Sequence, residues 1–383
     1  MNTSGREVLG LPPDARGVLP SQHLARAVEE RIIEVGDNLH VPPSNIQPAS
    51  IDLRLGETAY RIRSSFLPDN RPVEEKLKEF VIDEIDLRRE GAVLETKRPY
   101  LIPLLEHLNL PQDVRGKANP KSSTGRLDVF TRVISDHGGR FDEIEAGYTG
   151  RLWLEVVPLS FPVRVAQFLA LNQLRLSLGN ASLTDEEIRS RHESEPLLFR
   201  DGVPVSDLVV DRGLFLGLDL RGDASGRVGY RARDYAPVLE MASVGNADPD
   251  VYWEPVRKEE GDRIVLAPEH FYLLLSEESV RIPPGLAAEM TAYDPTSGEL
   301  RTHYAGFFDP GFGYSPDASF SGSRAALEVR AHDVPFMIEH GQRVCRLTFE
   351  RMVEPPLVLY GQGIGSSYQQ QMDTLSKHFR RRV

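Results

Sequence analysis

The sequence contains an internal repeat whose period is about half of the 383-residue chain. Several segments of the first half return in the same order in the second half, which a chance match of one short stretch would not produce. They are 50–56 with 217–222, 92–120 with 264–295, 145–156 with 309–329, and more loosely 163–171 with 342–350. A period this long excludes a solenoid of short repeats. The chain is therefore expected to fold as two diverged copies of one module.

Most of each copy is typical of short β-strands. In "SIDLRLG" (50–56) apolar and charged residues alternate, which indicates a strand with one buried face. Other apolar runs are separated by Pro, Gly, Asn and Asp, a rhythm that favours an all-β barrel or sandwich over parallel βαβ units. We interpret Asp52 and Arg54 of this motif, and the same residue types at 219–221, as partners in cross-strand ion pairs.

A charged segment between the copies marks the predicted module boundary. "SLTDEEIRSRHESEP" begins with a Thr184-x-x-Glu187 capping box and ends before Pro196, as a short solvated helix would. The spacing of apolar residues also predicts a helix at 21–34. The predicted divisions are module one at 1–180, a linker helix at 181–204 and module two at 205–383.

Composition limits the classes of function. The net charge of −12 argues against a surface that binds DNA or RNA, but leaves room for a small phosphorylated ligand held by a few local cations. Cys345 is the single cysteine, which excludes an intrachain disulfide and a zinc site built on several cysteines. We expect no secretory leader and no membrane span, and a cytoplasmic protein.

The stretch "KSSTGR" (121–126) is a candidate anion site. Lys121 and Arg126 flank the hydroxyl groups of Ser122 and Ser123, and all four side chains can donate hydrogen bonds to phosphate oxygens. An ordinary polar turn has the same composition, and the P-loop pattern GxxxxGK[ST] is absent. Taken alone, the residues leave both interpretations open.

Two glutamates, Glu155 and Glu328, occupy equivalent positions of the repeat within otherwise apolar strands. Burial would raise the pKa of such a carboxyl group and suit it to general acid or base catalysis. The alternative is a structural glutamate paired with a neighbouring arginine. Recurrence in both halves keeps the catalytic interpretation open beside the structural one.

Two segments of the second half add further candidates. "DPGF" (309–312) is typical of a tight turn, and its aspartate could also meet a sugar hydroxyl. "YGQGIGSSYQQQMDTL" (360–375) could be a lid with donors for phosphate or a frayed tail. The basic residues that follow it, in "KHFRRRV" (377–383), are interpreted as a solvated end.

Together these segments resemble the deoxycytidine triphosphate (dCTP) deaminase family of the dUTPase-like superfamily. The resemblance rests on "GVLPSQHLARAV" followed by "IQPASIDLRLG", on the approach to "KSSTGR", on "GYTGRLWLEV" and "DPGF…ALEV", and on "SSYQQQ". It implies a mainly β fold of two tandem dUTPase-like modules, each a distorted β-barrel or jelly roll, with few short helices. It also implies metal-free hydrolytic deamination of dCTP to dUTP and ammonia, in which a glutamate activates water for attack at C4 of cytosine.

The resemblance also implies roles for individual residues. The catalytic candidates are Ser122, Arg126, Glu155 and Glu328. The nucleotide-binding candidates are Lys121, Ser123, Asp309, Gly311, Phe312, Tyr368, Gln369 and Gln371. Mg²⁺ is expected to accompany the triphosphate without ligands from protein side chains. Zinc is not expected, because the chain lacks the cysteine ligands of the zinc deaminases.

Each half departs from the family pattern at a different place. The first arginine of the motif is Lys121 here, which keeps the charge but loses the planar fork. The turn of module one begins with Glu145, where the family has aspartate. Module two keeps the aspartate turn, but its counterpart of the motif is "DPTSGEL" (294–300), with Glu299 close to where the arginine should be.

These complementary losses predict one composite site built from both modules. Module one would supply Lys121, Ser122 and Arg126, and module two would supply Asp309 and Glu328. In the competing version, Glu155 serves the motif of its own module or that of a neighbouring chain.

The expected function is therefore dCTP deamination. The alternatives are a dUTP diphosphatase or a bifunctional enzyme that performs both steps, and a non-catalytic deoxynucleotide sensor. The expected partner is a small nucleotide, with no nucleic acid polymer and no membrane. A homo-oligomer is expected, and the sequence leaves the number of subunits open.

Overall fold

The protein is mainly β, with few short helices, in a computed structural model that describes residues 4–292, 300–302, 306–317, 319–331, 333–363, 368–369 and 374–381. The coarse fold class predicted from the strand rhythm is confirmed. Among the described residues, none of the helices has the length and apolar character needed to cross a membrane.

Strands of the first half range from two to ten residues, and several of them, such as Ile51–Arg54 and Ala170–Leu178, are buried along most of their length. They are β1 Gly17–Val18, β2 Ile33–Glu34, β3 Ile51–Arg54, β4 Thr58–Ile62, β5 Val81–Asp86, β6 Ala92–Leu94, β7 Tyr100–Asn109, β8 Val114–Pro120, β9 Val129–Ser135, β10 Glu143–Ile144, β11 Thr149–Pro158, β12 Val163–Val165 and β13 Ala170–Leu178.

The second half continues in the same style. Its strands are β14 Leu198–Arg200, β15 Val203–Pro204, β16 Leu214–Gly217, β17 Arg227–Ala232, β18 Leu239–Glu240, β19 Trp253–Arg257, β20 Arg263–Leu266, β21 Phe271–Val280, β22 Leu286–Ala292, β23 Leu300–Thr302, β24 Phe307–Phe308, β25 Ser323–Ala331, β26 Phe336–Glu339 and β27 Arg343–Arg351.

Helices connect the strands. They are α1 Gly5–Val8, α2 Ser21–Glu29, a 3₁₀ turn Pro43–Asn45, α3 Val73–Leu77, α4 Ser122–Gly125, α5 Asp185–Ser194 and α6 Pro249–Tyr252. The helix predicted at 21–34 is shorter than expected. Arg31 adopts a left-handed conformation with φ +57°, which an α-helix cannot continue through, and Ile33–Glu34 is already strand.

The capping box at the start of α5 is confirmed. The Thr184 hydroxyl accepts a hydrogen bond from the Glu187 amide at 3.3 Å, and the Glu187 carboxylate accepts one from the Thr184 amide at 2.8 Å. Ile188 and His192 are buried, so one side of this helix packs against the second half rather than facing solvent.

The strand pairing repeats between the halves. The order β3–β13–β8–β10 of the first half returns as β16–β27–β22–β24 in the second, and the long pair β7–β11 returns as β21–β25. The pair β6–β12 returns as β20–β26. This pairing corrects one of the sequence matches. The counterpart of β27 is β13 and not the segment 163–171, whose strand β12 is too short for its alternation to fix a register.

Aromatic side chains join the halves in one core. Phe161 of the first half packs edge-on against Tyr252 and Trp253 of the second, with ring centroids 5.4 and 5.2 Å apart. Phe379, close to the C-terminus, contacts the same two rings. The expectation of a solvated basic end is therefore wrong for this residue and for His378, which are 3% exposed. Strands β12 and β18 also pair in parallel across the boundary.

Candidate active site

A polar pocket lies where the "KSSTGR" segment of the first half meets strands and turns of the second half. Most of the predicted site residues line it together. Its walls are formed by Gln47, Asp52, Pro120, Lys121, Ser122, Ser123, Gly125, Arg126, Gln173, Met290, Gly306, Phe307, Phe308, Asp309, Phe312, Ala326, Glu328, Tyr360, Tyr368 and Lys377.

The motif segment forms the single-turn helix α4. Strand β8 ends at Pro120, and Lys121 stands at the N-cap with an extended backbone. Arg126 closes the turn and is only 4% exposed. Its guanidinium lies 3.7 Å from the centre of the Tyr368 ring and donates a hydrogen bond to the Thr374 carbonyl at 3.3 Å. The segment is therefore a packed part of the boundary between the halves rather than an exposed turn.

Glu328 of β25 places its carboxylate against α4. A Cβ atom added to Gly125 would lie 2.7 Å from Oε2 of Glu328, so the glycine leaves the space that the carboxylate occupies. Burial raises the pKa of Glu328 to about 8, the positive charge of Arg126 opposes this shift, and the negative charge of Asp128 adds to it. A carboxyl group with this pKa can exchange a proton near neutral pH.

The "DPGF" segment forms a turn, and Asp309 and Phe312 of this turn line the pocket. The Phe312 amide donates to the Asp309 carbonyl at 3.1 Å. Gly311 has φ +102°, and a Cβ atom there would lie 2.6 Å from the backbone nitrogen of Tyr360, so the turn requires glycine. Burial raises the pKa of Asp309, while the neighbouring Arg175 lowers it through an ion pair of 3.2 Å.

Arg175 is a boundary residue that the sequence did not single out. It is 2% exposed, belongs to β13 of the first half, and pairs with both Asp309 and Glu350 of the second half. Its guanidinium also lies 4.0 Å from the centre of the Phe307 ring. An arginine between two carboxylates fixes their relative position through charge-assisted hydrogen bonds.

Lysine side chains supply the remaining positive charge of the pocket. The Lys121 ammonium group pairs with Asp52, whose pKa is raised by burial and lowered by this lysine. Lys377 lines the same pocket, and burial and the charge of Lys121 lower its pKa. Asp52 was interpreted as a structural residue and Lys377 as part of a solvated end. Strand alternation and a terminal run of basic residues gave no signal of these positions, which depend on long-range contacts.

The described residues of the C-terminal segment contact the walls of the pocket. The Tyr368 hydroxyl accepts a hydrogen bond from the Lys377 amide at 3.2 Å, and the Ser376 hydroxyl donates to the Ser123 carbonyl at 2.9 Å. The Gln369 side chain does not line the pocket. It holds the "DPGF" turn instead, by accepting from the Gly313 amide at 3.0 Å and donating to the Gly311 carbonyl at 3.1 Å. Gln371 lies outside the described residues.

Glu155 lies away from this pocket. It stands on β11, is 1% exposed, and accepts hydrogen bonds from Arg132 of β9 at 2.6 and 3.2 Å. The Arg132 guanidinium also lies 3.7 Å from the centre of the Phe141 ring. The surroundings of Glu155 are those of the structural alternative, a buried glutamate with an arginine partner.

The described residues contain no group of three or more His, Cys, Asp or Glu side chains that could hold a metal ion.

The fold and the pocket define a class: mainly β proteins with two copies of one strand arrangement and a polar, partly charged pocket at the boundary of the copies. Residues 15–180 match the model of the 2'-deoxycytidine 5'-triphosphate deaminase (DCD) N-terminal domain, and residues 184–379 match that of the DCD C-terminal domain. The chain belongs to the dCTP deaminase family.

Individual relatives agree with this assignment. The crystal structure of 2'-deoxycytidine 5'-triphosphate deaminase from Agrobacterium tumefaciens superposes with a TM-score of 0.82 at 44% identity, and the match covers 88% of this chain and 99% of that one. A protein of Natronomonas pharaonis named dCTP deaminase is 33% identical over 41% of this chain and 78% of its own length. One of Methanothermobacter thermautotrophicus, named dCTP deaminase, dUMP-forming, is 27% identical over 36% of this chain and 67% of its own length.

Proposed function

We propose that the protein is a dCTP deaminase that converts dCTP and water to dUTP and ammonia at one composite site. The observation that carries the proposal is the buried Glu328 carboxyl group, which lies against α4 in the pocket that both halves build. The family assignment supplies the substrate, and Glu328 supplies a group able to move the proton that the reaction requires.

In the proposed reaction Glu328 acts as general base and then as general acid. Its carboxylate takes a proton from water as the water oxygen attacks C4 of cytosine. The carboxyl group passes this proton to N3 of the ring, then takes the proton of the new C4 hydroxyl and gives it to the C4 amino group, which leaves as ammonia while the C4 carbonyl forms. Arg126 and Ser122 hold the reacting groups in place, and Arg126 in addition stabilises the carboxylate form of Glu328.

The other pocket residues are proposed to bind the nucleotide. Lys121 and Ser123 donate hydrogen bonds to phosphate oxygens, and Asp309 accepts a hydrogen bond from a sugar hydroxyl. The Phe312 ring forms an apolar part of the pocket wall. Tyr368 and Gln369 belong to the segment that holds the boundary together. Mg²⁺ is proposed to be bound by the triphosphate and water, and no step of this mechanism passes through the ion.

The finer fold assignment is also a proposal. We infer that each half is a dUTPase-like distorted barrel, with module one at 1–180, a linker helix at 181–204 and module two at 205–383. The repeated strand order β3–β13–β8–β10 and β16–β27–β22–β24 supports two copies of one such module.

A second candidate is a bifunctional enzyme that also cleaves dUTP to dUMP and pyrophosphate. The dUMP-forming name of the Methanothermobacter relative is the observation in its favour. One assay distinguishes the two candidate functions. The protein is incubated with dCTP, and separately with dUTP, in the presence of Mg²⁺, and ammonia and pyrophosphate are measured.

We expect ammonia from dCTP and no pyrophosphate from either nucleotide. Equal amounts of both products from dCTP would establish the bifunctional enzyme, and pyrophosphate without ammonia would reject deamination. Tight binding of dCTP without either product, at high protein concentration, would establish a nucleotide sensor.

A further inference from the structure

A buried ion pair beside the pocket joins the segment that carries Arg126 to the strand that carries Glu328. Asp128 is fully buried and Arg330 is 5% exposed, and the Arg330 guanidinium donates a hydrogen bond to Oδ2 of Asp128. The two partners belong to different halves of the chain. Neither Asp128 nor Arg330 is among the site residues expected from the family resemblance.

Each partner lies two residues beyond a candidate catalytic residue. Arg330 follows Glu328 on β25, and because side chains of a strand alternate between faces, the two lie on the same face. Asp128 follows Arg126 in the turn that leaves α4, where the Asp128 amide donates to the Gly125 carbonyl at 2.9 Å. The pair therefore links the turn that follows one candidate to the strand that carries the other.

Further hydrogen bonds hold both partners in place. The Ser160 hydroxyl donates to Oδ2 of Asp128 at 2.5 Å, and the Leu159 amide donates to its backbone carbonyl at 2.9 Å. Arg330 also donates to the Glu269 carbonyl. A pair with this many fixed contacts holds a single geometry, which a solvated surface pair does not.

We propose that Asp128 and Arg330 form a positioning pair, which holds the strand of Glu328 against the segment of Arg126 across the boundary between the halves and balances the charge beside the Glu328 carboxyl group. This proposal rests on the proposed function. It extends the proposed function by assigning the electrostatic surroundings of the general base to Asp128 and Arg330, neither of which lines the pocket that contains Glu328.

The charges of the pair also act on Glu328. The negative charge of Asp128 raises the pKa of Glu328. Because Arg330 is paired with that carboxylate, we expect its positive charge to oppose the effect of Asp128. The other charged and titratable groups around Glu328 are Arg126 from the motif segment, Tyr360 and Tyr368 from the C-terminal part, and Lys121, Asp52, Asp309 and Lys377 on the other walls of the pocket.

The test compares the pH dependence of kcat/KM for the wild type, Asp128→Asn and Arg330→Gln. Asparagine suits position 128, where φ is +57°, because it tolerates the left-handed conformation. The acidic limb of this profile is the rise of kcat/KM as Glu328 loses its proton. We expect Asp128→Asn to move this limb to lower pH by about one unit and Arg330→Gln to move it to higher pH by about one unit. The double variant should return close to the wild-type position.

Opposite shifts are the signature that a merely structural role does not produce. An unmoved limb in both variants, or shifts in the same direction, would overturn the proposal. Arg330→Lys keeps the charge and should keep the wild-type position of the limb. If Asp128→Asn does not fold, the comparison of Arg330→Lys with Arg330→Gln therefore still tests the proposal. Glu106→Gln breaks the buried Arg54–Glu106 pair, which has similar burial, and should leave the limb in place.

A second measurement does not depend on turnover. The folded protein keeps the Glu328 proton up to about pH 8, whereas the unfolded chain loses it near the ordinary pKa of glutamate. The free energy of unfolding therefore falls as the pH rises through this window. Glu328→Gln removes the part of this fall that comes from Glu328, and that part reports the pKa of Glu328. We expect this pKa to be lower in the Asp128→Asn background and higher in the Arg330→Gln background. Absence of ammonia from the wild type would reject the proposed function, while this titration still decides the role of the pair.

Discussion

Two glutamates at the same position of the repeated strand pair have different surroundings. Glu155 lies opposite Leu101 on the neighbouring strand, and Glu328 lies opposite Leu273 in the same way. Arg132 donates two hydrogen bonds to the Glu155 carboxylate, whereas Glu328 faces a pocket. The strand position alone therefore does not decide which carboxylate can meet a ligand.

The first prediction compares conservative replacements of these two residues. Glu328→Gln should lower kcat at least 100-fold, because an amide cannot take the proton from water and general acid–base catalysis contributes about 10²–10⁴-fold. Glu155→Gln should keep most of the turnover and lower stability by about 1–3 kcal/mol, since Arg132 loses its charged partner. The assay is ammonia release together with thermal unfolding. Loss of turnover only in Glu155→Gln would show that the composite site is wrong.

The second prediction concerns the pH dependence of the wild-type reaction. Because the pKa of Glu328 is raised to about 8 by burial, the carboxylate that acts as base becomes more abundant as the pH rises toward that value. We expect kcat/KM to increase about tenfold per pH unit below this pH and to level off above it. The profile is measured from about pH 6 to about pH 10 with dCTP below KM. A plateau that already starts near the ordinary pKa of glutamate would contradict the assignment of the base.

At the scale of elements, the single turn α4 matters because it approaches β25 closely. The approach is possible at Gly125, where a side chain would meet the Glu328 carboxylate. The Gly125 backbone has ordinary helical geometry, so the requirement for glycine comes from space and not from backbone conformation.

The third prediction follows from this contact. Gly125→Ala should displace the flexible end of Glu328 and lower kcat/KM at least tenfold, with a change of stability of about 1 kcal/mol or less, since alanine itself favours a helix. Gly36→Ala is the matched control, because a Cβ atom at Gly36 has no neighbour within 4 Å. Ammonia release and thermal unfolding are compared for both. Equal activity of the two variants would show that the position of Glu328 against α4 is unimportant.

The C-terminal element gives the fourth prediction. Phe379 anchors the segment that also carries the Ser376 contact to Ser123. Phe379→Ala should lower the free energy of unfolding by about 3–5 kcal/mol and raise KM for dCTP, because the segment loses its buried ring. Phe168→Ala, at a ring that is 49% exposed, should change stability by about 0.5 kcal/mol or less. Similar unfolding curves for the two variants would mean that the segment is not anchored by this ring.

For the whole molecule, the sequence predicted the mainly β class, the repeated organisation and the meeting of "KSSTGR" with residues of the other half. These features follow from local alternation and from matched motifs, which are visible in one chain. Asp52, Arg175, Lys377 and the Asp128–Arg330 pair were missed, because their importance comes from contacts between positions far apart in sequence. The choice between Glu155 and Glu328 also stayed open, since it depends on Arg132 and on the packing of the boundary.

The division of the site between the halves leads to the last prediction, the number of nucleotides bound per chain. Glu328 faces the described pocket, whereas Glu155 is 1% exposed and held by Arg132, whose guanidinium lies on the Phe141 ring. We expect calorimetric titration of Glu328→Gln with dCTP and Mg²⁺ to give one nucleotide per chain, since this variant should bind without turning the substrate over. Combining it with Arg126→Ala should weaken binding by about 1–3 kcal/mol, the range for a lost hydrogen bond to a charged group. Two nucleotides per chain, with one unaffected by Arg126→Ala, would show that the half carrying Glu155 keeps a site of its own.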